Sequence, residues 1–247
     1  MFNITVSDAH YWKDCIDAIV NLIDEGSLEI SKEGISLRAM DPSQIAMVVF
    51  NIPKSAFSDY KVESTVRVGL NFENLAKILS RTRGKEKLEM SQEENKFVLH
   101  FSGEGSKRSF KIPLIDLQGG VQKEPKIEHD AEVKILAGSF KEMLRDAALV
   151  SSHLTLEATE HAFSVGVAGD NADLHSEMAK GGAVAGITTK KPVKATFPLQ
   201  YLDDIVKACA DKNEIKLSLR TNVPIKINYK IEDADLTYYL APRIDAD

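Results

Sequence analysis

Residues 7–23, SDAHYWKDCIDAIVNLI, decide the fold, because their pattern returns later in the chain. Trp12, Ile16, Ile19 and Ile23 recur at three-to-four-residue spacing, which marks the buried stripe of an amphipathic helix running from Ser7 to about Ile23. Residues 139–150, SFKEMLRDAALV, repeat the stripe: Phe140, Leu144 and Ala147 follow Trp12, Ile16 and Ile19 at a constant offset of 128. The register persists beyond the helices. Ile35 and Leu37, in EGISL, are matched by Phe163 and Val165, in HAFSV, at the same offset of 128. A second helix follows in each half, with Leu75 and Ile78 matched by Leu202 and Ile205 at an offset of 127. The alternating Phe97, Leu99 and Phe101 correspond to Ile225, Ile227 and Tyr229 at 128, and Pro113, Ile115 and Asp116 to Pro242, Ile244 and Asp245 at 129. Five features in one order at a nearly constant offset indicate the same unit twice.

Each unit reads as strand, helix, several strands, helix, several strands. Short connections rich in turn residues, Lys32-Glu33-Gly34, Glu93-Glu94-Asn95, Thr221-Asn222 and Glu232-Asp233, predict antiparallel pairing. Ser7, Ser139 and Asn71 are the expected N-caps, and Pro198 the expected first helical residue of the last helix. The fold class is therefore α+β: two similar domains, each with antiparallel sheets and two helices on one face. Expected boundaries are 1–115 and 131–247. Between them 116–130, DLQGGVQKEPKIEHD, has the glycine, proline and mixed charge of a linker, either a tether or a binding segment.

Composition narrows the function. Thirty-one Lys and Arg against 37 Asp and Glu give a net charge of −6, so no broad basic surface holds nucleic acid and any DNA contact is local or topological. Cys15 and Cys209 fall at helical spacing among apolar residues and read as reduced and buried. No apolar run is long enough for a membrane span, and Met1 opens into a strand pattern in place of a signal peptide. The expected compartment is cytoplasmic, or nuclear if the source has a nucleus. His10, His100, His129, His153, His161 and His175 form no metal-binding spacing. Gly181, Gly182 and Gly186 sit in a loop without the lysine and helix that a phosphate cradle requires.

Three stretches resemble the archaeal type of the proliferating cell nuclear antigen family: GISLRAMDPSQIAMVVFNIP at 34–53, FKIPLIDL at 110–117 and VPIKINYKIEDADLTYYLAPRI at 223–244. The resemblance is co-linear over the whole chain. It implies the DNA clamp fold in a trimeric ring, with helices lining a hole through which double-stranded DNA passes and sheets on the outside. It implies no enzymatic activity, cofactor or metal, and no membrane. Polymerase, clamp loader, nuclease and ligase are the implied partners, each docking a short peptide under the linker. The groove carried over by resemblance comprises Met40, Gln44, Ile45, Met47, Pro224, Tyr239, Ala241, Pro242 and Ile244. By themselves Met40 and Met47 read better as buried packing than as a partner surface, and Tyr239, Leu240 and Pro242 equally well as core.

On the resemblance, the DNA-facing cations are Lys13, Lys77, Arg81, Arg83, Lys141, Arg145 and Lys207, although any solvated helix face would carry a similar mixture. It also implies edge-to-edge strand pairing between domains. Within a subunit the strands near Ile45–Ile52 and Leu236–Leu240 would pair; shifted by the repeat offset, the junction between subunits would use 107–112 and 173–179. Lys107 and Lys111 would there oppose Asp173 and Glu177. The residues alone remain compatible with a monomeric two-domain adaptor that binds peptides, or with an α+β enzyme using scattered carboxylates such as Asp41 and Asp116.

Overall fold

The computed structural model describes residues 1–117 and 122–244, so the linker glycines Gly119 and Gly120 and the repeat residue Asp245 lie outside the described residues. The first half runs β1 (Phe2–Val6), α1 (Ala9–Val20), β2 (Glu25–Ile30), β3 (Gly34–Met40), β4 (Ala46–Pro53), β5 (Asp59–Val62), β6 (Val66–Asn71), α2 (Phe72–Leu79), β7 (Lys87–Glu93), β8 (Lys96–Gly103) and β9 (Ser106–Pro113). A single 3-10 turn, Lys54–Ala56, separates β4 from β5. The second half runs β10 (Ala131–Leu136), α3 (Ala137–Ala148), β11 (His153–Ala158), β12 (Ala162–Ala168), β13 (Asp173–Ala179), β14 (Val184–Thr189), β15 (Val193–Pro198), α4 (Leu199–Val206), β16 (Glu214–Leu219), β17 (Ile225–Ile231) and β18 (Ala234–Leu240). By contacts the chain divides into two compact units, Met1–Pro42 with Val48–Glu124 and Lys230–Leu236, and Ser43–Met47 with Pro125–Tyr229 and Thr237–Asp247.

The repeat extends to the pairing map. β1 lies antiparallel between β5 and β7, and β10 antiparallel between β14 and β16. β2 lies antiparallel between β3 and β6, and β11 between β12 and β15. The two helices of each half touch one another and the strands beside them. Their stripes are buried as the periodicity requires: Trp12, Ile16 and Ile19 in one half, Phe140, Leu144 and Ala147 in the other, while Ile23, expected in the first helix, is buried in the connection beyond its end at Val20. Ile78, expected to be buried with Leu75, is only half-buried near the end of its short helix.

The helix starts depart from expectation, and for one reason. α1 is capped by Asp8, which accepts from the His10 amide, and not by Ser7. α3 begins at Ala137, two residues before Ser139, and has no side-chain cap. Its first N–H groups are satisfied by main chain: Ala137 donates to the Asn213 carbonyl at 2.8 Å and Gly138 to that of Asp211 at 3.0 Å. A tertiary carbonyl thus does what a capping hydroxyl does elsewhere. Pro198 stands immediately before α4, whose Leu199 amide donates to Ser152 O; only Asn71 caps as its sequence suggests, bonding the Asn74 amide at 2.8 Å.

Equivalent aromatic pairs fill equivalent places. Phe101 and Phe110 meet edge-to-face at 5.8 Å, and their repeat counterparts Tyr229 and Tyr238 stack at 5.7 Å. The tyrosines add hydroxyls 3.0 Å apart, and that of Tyr229 donates to Ile205 O at the end of α4, so their burial leaves no phenol unpaired there.

Where each half ends, the main chain folds back on the strand before its second helix. Ile115 N donates to Gly69 O at 3.0 Å, and a β-carbon on Gly69 would stand 2.1 Å from Ile115 O. Gly69→Ala is expected to cost about 2 kcal/mol in denaturant unfolding, by overpacking. Gly166→Ala, whose β-carbon would meet nothing within 4 Å, is expected to stay within about 0.5 kcal/mol of the parent. Equal stabilities for the two variants would show that the Gly69 contact relaxes freely.

Candidate nucleic-acid and partner interfaces

With one stripe of each helix buried, the remaining positions carry the charges. On α1, Lys13 bonds Asp17 one turn on at 2.5 Å and lies 3.8 Å from Asp14. On α2, Lys77 is exposed and pairs with Glu73 at 3.6 Å. On α3, Arg145 pairs with Glu142 and both are exposed. Lys141 differs. Its side chain is only 12% exposed, and its ammonium donates to Cys209 O at 2.6 Å and to Asp211 at 2.8 Å, with Lys207 O at 3.4 Å. That bond holds the Asp211 carboxyl below its ordinary range. Lys141 is thereby committed to the carbonyls beyond the C-terminal end of α4, where a cation is favoured. Despite their matching positions in the repeat, Lys13 and Lys141 are not equivalent in structure.

Arg81, Arg83 and Lys207 are exposed, and among the described residues none has a carboxylate within ion-pairing distance. Lys85, which the sequence reading passed over, joins them in the run RTRGK at 81–85. One buried ion pair holds this run. Glu86, with a side chain 6% exposed, meets Arg108 Nη2 at 2.5 Å and accepts the Arg83 amide at 2.8 Å, while Arg108 Nη1 donates to Arg81 O at 3.1 Å. The guanidinium lies 5.0 Å over the ring of Phe101. Arg81 and Cys209 occupy the same position of the repeat, so the same carbonyl after the second helix is capped by a cation in both halves, from β9 in one and from α3 in the other. No local pattern in the sequence announces either donor, because each bond spans more than twenty residues.

The groove residues assigned by resemblance fall mostly on one short main-chain crossing. Ala241 N donates to Ile45 O and Arg243 N to Thr196 O, each at 2.8 Å. These two bonds pin the segment APRI on alternate residues and leave Pro242 and Ile244 between and beyond them. Ile244 is 71% exposed, Ile45, Ala241, Pro242 and Pro224 are half-buried, and Met47 and Tyr239 are buried. Gln44 is exposed with φ of 59°, in the left-handed region that residues other than glycine seldom occupy. Met40 is half-buried and lines a cleft of about 440 Å³ with Ile23, Asp24, Glu25, Pro42, Asn71 and Glu73. Among the described residues no three His, Cys, Asp or Glu side chains are grouped to hold a metal ion, and no helix is long and apolar enough to cross a membrane.

Two strands carry the residues expected at a junction. β9 pairs with β8 alone and ends a five-stranded sheet, and β13 pairs with β12 alone and ends a four-stranded one. Lys107 and Lys111 are exposed on β9, as are Asp173 and Glu177 on β13. Lys111 already bonds Glu93 at 2.5 Å, and Glu177 has His175 at 3.8 Å. The repeat-equivalents of these strands look different: in β4 and β18 residues 46–50 and 236–240 are buried without a break, so both faces are covered.

Residues 1–119 match the N-terminal domain of proliferating cell nuclear antigen, and residues 123–244 its C-terminal domain. The chain belongs to the proliferating cell nuclear antigen family of sliding clamps. Proteins named DNA polymerase sliding clamp from Thermococcus fumicolans and Methanococcus maripaludis are 33% and 35% identical to it, over 99% and 100% of both chains. The solved proliferating cell nuclear antigen of Thermococcus kodakaraensis superposes with a TM-score of 0.94 at 26% identity, covering 98% of this chain and all of that one. That of A. fulgidus, bound to the C-terminal region of FEN-1, shares the fold with a TM-score of 0.89 at 23% identity, with both chains fully covered.

In this clamp the buried ion pair under the basic run has a measurable signature. Arg108→Ala strands the Glu86 carboxylate and is expected to cost about 3 kcal/mol in chemical unfolding, whereas Arg108→Leu combined with Glu86→Gln recovers at least half of the loss. A single variant as stable as the parent would mean that water reaches Glu86 freely.

Proposed function

We propose that this DNA polymerase processivity factor works as a ring of three identical subunits closed around duplex DNA, tethering enzymes by short peptides and performing no chemistry itself. One observation carries the reading: two strand positions of the repeat are covered in β4 and β18 and bare in β9 and β13. A bare edge presents unpaired N–H and C=O groups, and docking β13 of one copy on β9 of the next satisfies both rows. Each subunit has one edge of each kind, so the contact is head-to-tail and can close on itself. Opposite signs, Lys107 and Lys111 against Asp173 and Glu177, favour that pairing over like edges. Lys107→Glu with Lys111→Glu is expected to yield folded monomer by light scattering, and adding Asp173→Lys with Glu177→Lys to restore part of the trimer. A first variant that stays trimeric at low protein concentration would refute this junction.

Within such a ring Lys77, Arg81, Arg83, Arg145 and Lys207 meet phosphates without reading bases, with Lys13 and Lys141 contributing less because their engaged side chains are also the more buried. Loose contacts suffice, since linkage retains the ring and weak phosphate contacts permit sliding. Partner peptides dock on Ile45, Met47, Tyr239, Ala241, Pro242 and Ile244, with Gln44 and Pro224 completing the surface. Exposed Ile244 beside half-buried Pro242 offers an apolar contact to such a peptide. Replacing Pro242 and Ile244 together by Ala is expected to weaken a bound peptide by about 2 kcal/mol or more in anisotropy titrations, leaving the unfolding midpoint near that of the parent. Unchanged affinity would remove the peptide from this surface.

A further inference from the structure

The peptide groove proposed above has a charged rim whose sign is opposite to that of the whole chain. Tyr239, buried in its floor, carries Lys226 over its ring, the ammonium 5.7 Å from the centroid. On β17 the residues Ile225, Ile227, Tyr229 and Ile231 point inward, so Lys226 lies on the opposite face, half-buried, its stem laid along the aromatic ring. Among the described residues no carboxylate lies within ion-pairing distance of it. Beside it, His129 approaches Pro224 O with Nε2 at 3.2 Å, joining the end of the linker to a groove residue. Burial lowers the basicity of that imidazole, and Lys226 and Arg220 lower it further. Arg220 and Lys191 share one carboxylate, that of Asp130, at 3.7 and 3.3 Å. Lys226 thus stands as a cation without an ion-pair partner among the described residues, on a chain whose net charge is −6. A fixed cation on a partly desolvated aromatic ring contributes to selection among ligands more than a mobile surface lysine does.

We infer that the peptides this clamp selects carry an acidic side chain beside their apolar anchors, and that Lys226 is the residue that reads it. The inference rests on the peptide groove itself; the apolar anchors supply the affinity and Lys226 the choice among peptides that share them. A peptide with a basic flank meets Lys226 unscreened, while an acidic flank completes the ion pair that Lys226 lacks within the described residues.

Two fluorescent peptides with identical anchors, one flanked by Asp and one by Lys, distinguish the possibilities when titrated by anisotropy into the full chain at low salt. The parent should prefer the acidic peptide about three- to fivefold. Lys226→Gln should abolish the preference and Lys226→Glu reverse it, while light scattering shows the parental oligomer. A preference that Lys226→Glu leaves unchanged, in a protein where Pro242→Ala with Ile244→Ala abolishes binding of both peptides, would overturn the role of Lys226 and leave the groove standing. Undiminished binding of both peptides to the Pro242 and Ile244 variant would overturn the groove and this inference with it.

Discussion

The N–H that opens a helix must find an acceptor outside it, and in this chain that requirement organises both halves. Ala9 donates to Glu86 O and Ala137 to Asn213 O; Phe72 donates to Asp24 O and Leu199 to Ser152 O. All four acceptors are main-chain carbonyls on connections from other parts of the same half. Each bond fixes where a helix begins and how it lies, and so which side chains it buries and which it offers outward. Unpaired, such a buried group would cost as much as a lost hydrogen bond. The charged helix faces are a consequence of these main-chain contacts as much as of helix periodicity.

On this shared scaffold the two halves diverge in particular side chains. Arg108 and Arg83 of the first half correspond to Leu236 and Asp211 of the second, at the same repeat offset, so the basic run and the buried pair beneath it exist once per subunit. Arg38, exposed on β3, corresponds to Gly166 on β12, which lines a cleft of about 330 Å³ with Thr155, Glu157, Val167, Asp173, His175 and Lys194 among others. The segment after each last strand folds back on the strand preceding the second helix, onto Gly69 in one half and Thr196 in the other. After the first half the chain continues as linker. In the second half the same segment carries Pro242, half-buried, and Ile244, exposed.

Much of this was legible in the sequence because apolar periodicity is a local property. The stripe of Trp12, Ile16 and Ile19, the alternation of Phe97, Leu99 and Phe101, and the recurrence of both in the second half identify helices, strands and the doubled fold without any knowledge of contacts. The turn residues Asn95, Asn222 and Asp233 likewise mark tight connections, although the left-handed positions fall on Glu94, Asn222 and Glu232. The residues matching the clamp family were readable for the same reason, as short contiguous words.

What the sequence alone determined was the periodic pattern, the repeat and the family words, since each is written in neighbouring residues. Only the tertiary structure decided which cations are available. Lys13 and Lys141 share a repeat position, yet one bonds an acid on its own helix and the other carbonyls 66 and 68 residues away. Ser139 offers a capping hydroxyl that goes unused because Asn213 and Asp211 bring their carbonyls to the helix first. Glu86 and Arg108, twenty-two residues apart, become one buried pair only when β9 lies beside the end of α2. Partners in space are chosen by long-range folding, and a one-dimensional pattern carries no record of that choice.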